Sequence, residues 1–561
     1  MVACTCADCA CRAPRPTKRV AIIGAGASGL TVMKELKALG HEVSCYEGLP
    51  VIGGVYAKSY DNTTLTTSSC LTAFSDYTDG KEAQPKFWSD EEYLKYLAGY
   101  VDKFDLRPHI SFSTHVEKLK RCPSSGKWTL WIKRNRAAPP HRAYPTPPPE
   151  NPNEPLVEES GFDHVAVCTG TNTWASLPCF KGQERFRGEI IHSEKYRSPE
   201  AFDGKRVLVI GAGESGSDVC NEISKHAAGC AIAIRGKHGH LIPRKQGDGR
   251  VTDLNTNRVR YSNPYILGDW VGWANQKAKK FVASMGAPND DNKILKKIGE
   301  LNLSQSTSAF SKFGCKNAGF VEAIVQRGVS LHRDNFELRE NKAVFGDGTE
   351  FECDVIVACT GYRNTFPFVE ETHPDIDEYG QNPRLLYKQI FHPRYNGEVA
   401  YFGFARPAFG SIPPTSEMQS RMFAMVVNGD ISLPCQKTME KVAAEDQANW
   451  EWRFGYDAIR VKGLVDFQLY TDDLAQQMNC MPPLRRLFFT KPKLWWKIMF
   501  GPFTMHQYRL VGPYANPKVA ADVYSRQPVG DFLEASITTA FLVTAKVLSA
   551  LGFKQFTPNN F

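Results

Sequence analysis

Two glycine-rich turns, each set between an apolar strand and a helix, constrain the fold of this chain most strongly. RVAIIG (19–24) leads through GAGASG into a helix that ends near Gly40, and HEVSCYE (41–47) follows as a second strand. A unit of the same form runs from RVLVIG (206–211) through GAGESG to CAIAIR (230–235). Such strand–turn–helix–strand units are typical of doubly wound parallel sheets. The sequence therefore predicts an α/β fold with two nested Rossmann-like domains.

The first turn fits the Gly-x-Gly-x-x-Gly pattern of dinucleotide sites. Gly24 permits a tight turn, Gly26 lets the backbone approach a pyrophosphate, and Gly29 allows close helix–strand packing. Glu47 ends the second strand, where its carboxylate can accept hydrogen bonds from ribose hydroxyls. The residues predicted to bind cofactor in this turn are Gly24, Gly26, Ala27, Ser28 and Gly29.

The second turn repeats this pattern, but the strand that follows its helix ends in different residues. Arg235 stands where an acid would be expected, and Lys237 follows it. A carboxylate would repel a 2′-phosphate, whereas a guanidinium binds it through two parallel hydrogen bonds. This contrast predicts NADPH at the second turn, although a solvated strand end would also explain Arg235. The turn residues predicted to bind it are Gly211, Gly213, Glu214, Ser215 and Gly216.

Two dinucleotide sites in one chain imply electron transfer from NADPH to a bound flavin. A disulfide reductase would need a pair of cysteines beside the flavin. The only Cys-x-x-Cys pair, Cys6 and Cys9, precedes the first strand, while Cys168 and Cys359 are single. Thiol relay chemistry is therefore disfavoured.

The stretch FRGEIIHSEKY (186–196) lies just before the second turn. Phe186, Gly188, His192 and Tyr196 match the pattern Phe-x-Gly-x3-His-x3-(Tyr/Phe), so the chain resembles the flavin-containing monooxygenases of the dimethylaniline type. The resemblance covers about residues 18 to 520. Its further matching segments are GGVY (53–56), CTGY (359–362), FARPAFGSIPPTSEMQSR (404–421) and GPFTMHQYRLVGP (501–513).

The resemblance implies a reaction. NADPH would reduce FAD, and oxygen would add to the reduced flavin to give a C4a-hydroperoxide that attacks a soft nitrogen or sulfur atom of a small molecule. The cofactor then carries the difficult chemistry, and the protein orients it and excludes water. Further cofactor-binding residues implied by the resemblance are Gly54, Val55, Tyr56, Val116, Thr169, Gly170, His192, Tyr196, Thr360 and Gly361.

The chain departs from the family pattern at two positions. Tyr56 replaces a usual tryptophan, and Thr66 stands where an asparagine beside the flavin is common, when aligned on Phe74-Ser75-Asp76. Thr66 is the predicted catalytic residue, although a hydroxyl lacks the two amide donors of asparagine. A Baeyer–Villiger oxygenase and an NADPH oxidase or reductase that oxygenates no substrate remain alternatives. A metal-binding protein built on the N-terminal thiolates is a third.

Residues 404–421 contain a further local prediction. Ser416 and Gln419 fit a capping box at the start of a helix, after Pro413 and Pro414. A helix N-terminus aimed at the pyrimidine side of reduced flavin would stabilise its negative charge, but an ordinary capped surface helix fits the pattern equally well.

Length and composition set the remaining expectations. The net charge of +8 comes from scattered lysines and arginines, which argues against nucleic acid and for anionic cofactors. No apolar signal segment begins the chain, and sixteen cysteines without one indicate a reducing, intracellular setting. Four N-terminal cysteines could chelate a soft metal, but we predict a mobile tail and no metal site; they are Cys4, Cys6, Cys9 and Cys11.

The predicted divisions follow the nucleotide signals and the composition. The segment at 535–553 is near spanning length but carries Lys546, which favours an amphipathic helix on a membrane or on the protein's own surface. A cytoplasmic location with the endoplasmic reticulum membrane as a candidate contact is expected. The divisions are a cysteine-rich tail (1–17), the first part of an FAD domain (18–200), an NADPH domain (201–333), a return segment of the FAD domain (334–440) and a helical C-terminal region (441–561).

Overall fold

The structure is a computed structural model of the chain. It describes residues 15–135, 154–234, 240–246, 249–264, 290–303, 314–530 and 532–554, together with the single positions Lys277, Phe281 and Met285. The N-terminal cysteine cluster, most of the proline-rich loop after 134, and Arg235 with Lys237 lie outside the described residues.

The described strands and helices alternate through the first two thirds of the chain, and helices dominate the last third. In chain order the strands are β1 (Arg19–Ile23), β2 (Glu42–Tyr46), β3 (Ile110–Ser111), β4 (His115–Arg121), β5 (Trp128–Lys133), β6 (Val157–Phe162), β7 (His164–Val167), β8 (Trp174–Ala175), β9 (Glu189–His192), β10 (Arg206–Ile210), β11 (Gly229–Ala233), β12 (His240–Leu241), β13 (Gly314–Cys315), β14 (Ser330–His332), β15 (Phe336–Arg339), β16 (Lys342–Phe345), β17 (Glu350–Glu352), β18 (Val355–Ala358), β19 (Tyr362–Arg363), β20 (Val399–Tyr401), β21 (Arg406–Pro407) and β22 (Leu464–Val465). The α-helices are α1 (Ala27–Ala38), α2 (Ser69–Thr72), α3 (Asp90–Lys103), α4 (Glu214–Ile223), α5 (Arg258–Ser262), α6 (Asp290–Leu303), α7 (Gly319–Arg327), α8 (Pro367–Glu370), α9 (Pro374–Gln381), α10 (Ile412–Val427), α11 (Gln436–Phe454), α12 (Tyr456–Arg460), α13 (Phe467–Gln477), α14 (Leu484–Thr490), α15 (Pro492–Phe500), α16 (Pro517–Arg526) and α17 (Phe532–Ala550).

The first sheet has the strand order β20-β7-β1-β2-β3, and all its pairings are parallel. β1 lies at its centre and is buried from Val20 onward because helices cover the sheet. The spacing of Leu30, Met33 and Leu36 predicts that they share one face of α1, and all three are fully buried. The sheet and helix together form the first nucleotide-binding unit of the predicted α/β fold.

The second sheet has the order β14-β11-β10-β18-β9 and is also parallel throughout. Two of its strands, β9 and β18, come from outside residues 201–333, the range predicted for the second domain. The segments DHVAVCTG (163–170) and DVIVACTGY (354–362) are both apolar strands that lead into Cys-Thr-Gly, a similarity that predicts a chain returning twice to one nucleotide-binding surface. That expectation is wrong: β7 pairs with β1 of the first sheet, whereas β18 pairs with β10 of the second. In each sheet the first strand of the glycine-turn unit therefore lies between two neighbours: β1 between β2 and β7, and β10 between β11 and β18.

The C-terminal region is helical, as predicted, and packs against the first unit. Arg509 of this region pairs with Glu35 of α1 at 2.9 Å. α10, in the predicted return segment of the FAD domain, also lies along α1, where the hydroxyls of Thr31 and Ser420 are 2.9 Å apart.

The last helix, α17, buries Leu542 in a cluster with Val259 and Met499, and its Ala545 is also buried, so it does dock onto the protein's own surface. Among the described residues no helix is both long and apolar enough to span a bilayer. Contact of α17 with a lipid surface stays a prediction.

Candidate dinucleotide and flavin site

The first glycine turn is so crowded that two of its glycines cannot be replaced without moving backbone. Gly24 has φ +105°, and a Cβ there would lie 2.6 Å from the carbonyl oxygen of Cys168. A Cβ on Gly29 would lie 1.9 Å from the carbonyl oxygen of Gly24. The predicted reasons for these two glycines, a tight turn and close helix packing, are therefore visible as contacts.

The third glycine faces an open approach rather than a crowded one. The nearest atom to a Cβ on Gly26 would be the Cα of Gly54, at 3.7 Å. Gly54 belongs to the GGVY segment, so two bare backbones face each other across the turn at the N-terminus of α1. A cradle of this kind suits a pyrophosphate, because backbone N–H groups and the helix dipole both attract the anion.

Glu47 ties the end of β2 to this turn. Its carboxylate accepts hydrogen bonds from the backbone N–H of Ala25 at 2.6 Å and of Leu49 at 2.8 Å. Burial raises the pKa of Glu47, although the backbone donors oppose that shift. The predicted ribose acceptor thus lies at the mouth of the first turn. Nearby, Val116 is the second residue of β4 and follows His115, whose ring would meet a Cβ on Gly48 at 2.7 Å.

The second glycine turn reproduces the first. A Cβ on Gly211 would lie 2.6 Å from the carbonyl oxygen of Cys359, and one on Gly216 would lie 2.0 Å from the carbonyl oxygen of Gly211. Among the described residues, no atom lies within 4 Å of a Cβ built on Gly213. The two turns are therefore equivalent constructions, with Cys168 and Cys359 in matching places. Burial raises the pKa of both thiols, to about 12 for Cys359, so neither is a thiolate ready for disulfide exchange.

A Thr-Gly pair follows each of these two cysteines. Gly170 has φ +76° and Gly361 has φ +84°, a left-handed backbone that glycine adopts without strain. The hydroxyl of Thr360 donates to the carbonyl oxygen of Ser176 at 2.6 Å. The carbonyl oxygen of Thr169 accepts from the hydroxyl of Thr173 at 2.9 Å. The four residues predicted here thus form two fixed bends, one beside each glycine turn.

The Phe-x-Gly-x3-His-x3-Tyr stretch holds the second of these bends. A Cβ on Gly188 would lie 2.4 Å from the carbonyl oxygen of Asp354, so glycine lets β9 approach β18. Nδ1 of His192 accepts from the backbone N–H of Glu194 at 3.1 Å, which leaves Nε2 to donate to the carbonyl oxygen of Gly361 at 3.0 Å. Burial lowers the pKa of His192 and keeps the ring neutral. The histidine is therefore a clamp on the Thr360-Gly361 bend.

Tyr196, the last residue of the stretch, links the two nucleotide units. Its buried ring packs at 5.4 Å between centroids against Tyr60, which follows the GGVY segment of the first unit. The hydroxyl of Tyr60 donates to Asp218 of α4 at 2.9 Å. Arg244 approaches Asp218 at 3.7 Å and donates to the carbonyl oxygen of Thr64 at 3.3 Å. A chain of contacts therefore joins α4 to the segment that carries Thr66.

We expect phenylalanine substitutions at these two tyrosines to have unequal effects. Tyr60→Phe removes a hydrogen bond to a carboxylate and should lower the free energy of unfolding by about 1.5 kcal/mol or more. Tyr196→Phe removes a buried hydroxyl that has no hydrogen-bond partner within the described ranges, so it should change that energy by less than about 0.5 kcal/mol. Urea unfolding of the two variants measures the difference, and an equal loss would contradict the inferred link through Asp218.

Glu214 occupies the first turn of α4, beside the predicted pyrophosphate position. Its Oε1 accepts from the backbone N–H of Lys316 at 2.8 Å, and its buried Oε2 has no hydrogen-bond partner in the described part of the chain. Burial raises the pKa of Glu214 from 4.5 to about 7, against the opposing effect of Arg244. Ser215 follows it in the same turn. The turn thus carries a carboxyl group that is neutral only below about pH 7.

The affinity for NADPH should therefore fall as the pH rises through 7. Ionised Glu214 places a negative charge at the N-terminus of α4, where it repels the anionic dinucleotide, so the KM for NADPH should rise about three- to tenfold between pH 6 and 8.5. Glu214→Gln should make the KM nearly constant over this range. Steady-state kinetics at fixed ionic strength test the expectation, which fails if both proteins give the same pH profile.

Thr66 lies in a segment anchored on both sides. Thr64 accepts from Arg244, as described above, and the hydroxyl of Thr67 is 2.8 Å from that of Thr72 and donates to Ser411 at 3.1 Å. Ser68 donates through its backbone N–H and its hydroxyl to Asp253 at 2.7 and 2.8 Å. Thr66 itself is half-buried between these anchors. The segment that carries the predicted catalytic residue is thus tied, through Thr67, to Ser411, the residue that precedes α10.

The capping box predicted at Ser416 and Gln419 is wrong. α10 begins earlier, at Ile412, with Pro413 and Pro414 in its first turn, so both residues lie inside the helix and are fully buried. Ser416 accepts from Ser28 of α1 at 2.9 Å, and Gln419 accepts from the backbone N–H of Gly403 at 3.2 Å. The prolines were consistent with a start at Ile412, but a serine three residues before a glutamine imitates a cap. The N-terminal turns of α1 and α10 nevertheless lie side by side.

Two groups of residues complete the site. Val55 is exposed and Tyr56 is half-buried in the turn that follows Gly53, with the Tyr56 ring edge-on to Tyr93 at 4.6 Å. Sequence reasoning missed Tyr60, Asp218 and Arg244. Tyr60 lies four residues after Tyr56 of the GGVY segment, and this proximity is the local signal that could have identified it. The pairing of Asp218 with Arg244 depends on the tertiary fold and had none.

Comparison with known proteins gives one family and a consistent set of relatives. Residues 17–520 match the family described as flavin-binding monooxygenase-like. A 4-hydroxybenzoate brominase (decarboxylating) of Marinomonas mediterranea is 34% identical over 90% of this chain and 92% of its own. Flavin-containing monooxygenase 2 of Homo sapiens is 30% identical over 88% of this chain and 89% of its own.

The fold also has a solved counterpart. The structure of S-allyl-L-cysteine S-oxygenase from Allium sativum superimposes with a TM-score of 0.55 at 21% identity, covering 94% of this chain and 99% of that one. The likeness extends over both nucleotide units and the helical C-terminal region.

Proposed function

This chain belongs to the flavin-binding monooxygenase-like family, and on that premise we propose that it uses NADPH and oxygen to oxygenate a soft nitrogen or sulfur atom of a small molecule. Its family makes it a flavin-dependent monooxygenase with FAD and NADP(H) as cofactors. The observation that carries the finer proposal is the pair of equivalent glycine turns joined through Tyr60 and Tyr196. A neighbouring dithiol would favour a reductase, but the thiols beside the turns are single, Cys168 is buried and Cys359 half-buried, and the pKa of each is raised.

The residues of the first turn fit FAD. Gly26 and Gly54 would face the pyrophosphate, and Glu47 would exchange one of its backbone donors for ribose hydroxyls. When bound, the flavin accepts a hydride from NADPH and activates oxygen for transfer. The side-by-side N-termini of α1 and α10 would stabilise negative charge on it, through the partial positive charge of helix ends.

The second turn fits NADP(H), with Gly213 free of neighbours where the pyrophosphate would approach. His192 positions the Thr360-Gly361 bend beside that turn and stays neutral, so it moves no proton at physiological pH. Tyr60, Asp218 and Arg244 would hold the two cofactors at a fixed separation, because they connect α4 to the Thr64–Ser68 segment. The protein would thus bind and orient the two cofactors and exclude water from them, and its side chains would contribute little acid–base catalysis.

A second candidate function is favoured by the brominase relative at 34% identity. Bromide is a soft nucleophile, as amines and thioethers are, and an oxidised bromide equivalent can brominate an electron-rich aromatic ring. The same cofactor site therefore serves this reaction if the substrate side admits a halide ion and a phenol. The two candidates differ in the nucleophile and share the consumption of NADPH and oxygen.

The experiment counts products per NADPH consumed. FAD-loaded protein is supplied with NADPH, oxygen and, in separate reactions, N,N-dimethylaniline, methyl p-tolyl sulfide, cyclohexanone, or bromide with phenol. Nearly one N-oxide or sulfoxide per NADPH supports the proposal, and bromophenol supports the second candidate. Lactone from the ketone, or hydrogen peroxide alone in every reaction, would reject oxygenation at nitrogen or sulfur. An NADH arm tests the predicted role of Arg235, because equal rates with NADH and NADPH would remove the 2′-phosphate assignment.

Thr66 is proposed as the residue that hydrogen-bonds the oxygen-bearing flavin. Thr66→Val keeps the shape of the side chain and removes its hydroxyl. Because the net contribution of one hydrogen bond corresponds to about a two- to tenfold change, the fraction of NADPH consumption that ends as hydrogen peroxide should rise by about that factor. Thr66→Asn, which restores the residue common in the family, should not raise it. Peroxide assays under substrate saturation measure both variants, and an unchanged peroxide fraction in Thr66→Val would rule out this role.

A further inference from the structure

A buried ion pair between Lys316 and Asp253 joins segments that lie far apart in the chain. Nζ of Lys316 donates to one carboxylate oxygen of Asp253, and the two side chains are 7% and 0% exposed. The other oxygen of Asp253 accepts from the backbone N–H of Ser68 at 2.7 Å and from its hydroxyl at 2.8 Å. The carboxylate therefore bonds the lysine through one oxygen and the segment of Thr66 through the other.

The backbone of Lys316 is fixed to the second glycine turn. Its N–H donates to Oε1 of Glu214, in the first turn of α4, at 2.8 Å. Asn317, the next residue, donates through Nδ2 to the carbonyl oxygen of Glu214 at 3.1 Å, and its own carbonyl oxygen accepts from the hydroxyl of Ser217 at 3.1 Å. Lys316 and Asn317 are thus held against the turn at which we place the NADPH pyrophosphate.

The other end of this connection lies on the side proposed for the flavin. Ser68 is the residue before α2 and stands two residues after Thr66, which is proposed to bond the oxygen-bearing flavin. Ser68 is fully buried, and Thr67 beside it donates to Ser411. One continuous path of hydrogen bonds therefore runs from the NADPH turn to the segment of Thr66, through Glu214, Lys316, Asp253 and Ser68.

Such a pair imposes geometry more than it adds stability. Removing two charges from water costs about as much as their attraction returns, so a buried ion pair is often no more stable than two apolar side chains. A hydrogen-bonded polar network does, however, make the segments that it joins rigid. Hydride transfer depends on that rigidity, because a shift of about 1 Å between the reacting groups can cost about a hundredfold in rate.

We propose that Lys316 and Asp253 are positioning residues for the transfer of hydride from NADPH to the flavin. They fix the second glycine turn relative to the segment of Thr66, and they act through Glu214 and Ser68 rather than on the cofactors themselves. This inference rests on the proposed function only where that function places NADPH at the second turn and the flavin beside Thr66.

Anaerobic reduction of the FAD-loaded protein by NADPH, followed by flavin absorbance in a stopped-flow instrument, tests the pair. Lys316→Met removes the ammonium group and keeps most of the side-chain volume, so the rate constant at saturating NADPH should fall about tenfold or more. The flavin content and the Kd for NADPH should change less than about threefold, because both glycine turns stay intact.

Lys388→Met is the matched control. Lys388 lies between α9 and β20, its side chain is 11% exposed, and it pairs with Asp446 at 3.0 Å and with Asp473 at 3.1 Å. Loss of these pairs should also lower the urea midpoint of unfolding, but the rate of flavin reduction should stay within about twofold of the wild type. If Lys316 contributed only to stability, the two variants would reduce their flavin at the same rate.

Two further measurements do not depend on Lys316→Met as a working enzyme. Hydrogen exchange of the cofactor-free proteins should be about fivefold faster or more at the backbone amides of residues 64–72 in Lys316→Met, and unchanged there in Lys388→Met. Ser68→Ala leaves the ion pair in place and removes one hydrogen bond to Asp253, so flavin reduction should slow about two- to tenfold. If Lys316→Met does not fold, Ser68→Ala decides.

Several outcomes would overturn the proposal. They are a wild-type rate of flavin reduction in Lys316→Met or Ser68→Ala, an equal fall in Lys388→Met, unchanged exchange at residues 64–72, and a wild type whose flavin NADPH does not reduce. All these measurements exclude oxygen and substrate. A chain that reduces its flavin but oxygenates no nitrogen or sulfur atom would therefore reject the proposed function and leave this test in force.

Discussion

Gly29→Ala should yield protein without bound flavin, whereas Gly216→Ala should retain flavin but lose its reduction by NADPH. The two substitutions add the same methyl group at equivalent points, 1.9 Å from the Gly24 carbonyl oxygen and 2.0 Å from the Gly211 carbonyl oxygen. Neither clash can be relieved without moving the turn that cradles a pyrophosphate. A displacement of about 1 Å at such a site can cost about a hundredfold in rate, so the loss should be nearly complete in each case.

Flavin absorbance of the purified proteins measures the first loss, and anaerobic stopped-flow reduction by NADPH measures the second. Gly213→Ala is the control for the fold, since in the part of the chain that the structure describes a Cβ there meets no atom within 4 Å, and Gly213 has an ordinary φ of −78°. Its free energy of unfolding should match that of the wild type while NADPH binding weakens, because the added methyl group would fill only the space proposed for the NADPH pyrophosphate. If Gly216→Ala lost its flavin too, the assignment of the two turns to different cofactors would be wrong.

The nucleotide-binding units could be predicted from sequence because their signals are local. A strand, a glycine turn, a helix and the charge at the next strand end all lie within about thirty residues, and each has a steric or electrostatic reason. The contacts of Gly24 and Gly29 agree with the roles derived for them. The resemblance at Phe186–Tyr196 predicts a cofactor role for His192, but only the structure shows that its ring bonds the carbonyl oxygen of Gly361.

The features that were missed depend on residues far apart in the chain. Strand pairing of β9 with β18 joins positions near 190 to positions near 356, and no spacing in the sequence encodes that choice. The start of α10 was misplaced because a capping pattern is short and recurs by chance.

A buried charge cluster that fastens the C-terminal region to α1 is another such feature. Nη2 of Arg509 lies 2.9 Å from Glu35, 3.0 Å from Glu417 and 3.4 Å from Asp76. Lys34 adds a second positive charge, 3.0 Å from Glu35. The three carboxylates are close enough together to suggest a metal site, but these two cations already compensate them. The prediction that the chain has no metal site stays untested.

Arg509→Met should lower the free energy of unfolding by about 3–5 kcal/mol, because it leaves buried carboxylates without their guanidinium partner. Arg394→Met is the matched control: its pair with Asp375 is at 3.1 Å, but the Arg394 side chain is 64% exposed, so the loss should stay below about 1 kcal/mol. Urea unfolding at pH 7 measures both. Equal losses would mean that the cluster contributes no more than a surface pair.

The pH dependence gives this prediction a second, independent readout. Burial alone would raise the pKa of Glu35, but Arg509 and Lys34 lower it from 4.5 to about 2. The stability that Glu35 contributes is therefore present above pH 4.5 and lost as the pH falls through 2. In Arg509→Met this carboxyl group should take up its proton at a higher pH, so acid should weaken the variant less between pH 4.5 and 2 than it weakens the wild type. A variant with the wild-type slope in that window would show that Arg509 does not hold Glu35 in its ionised form.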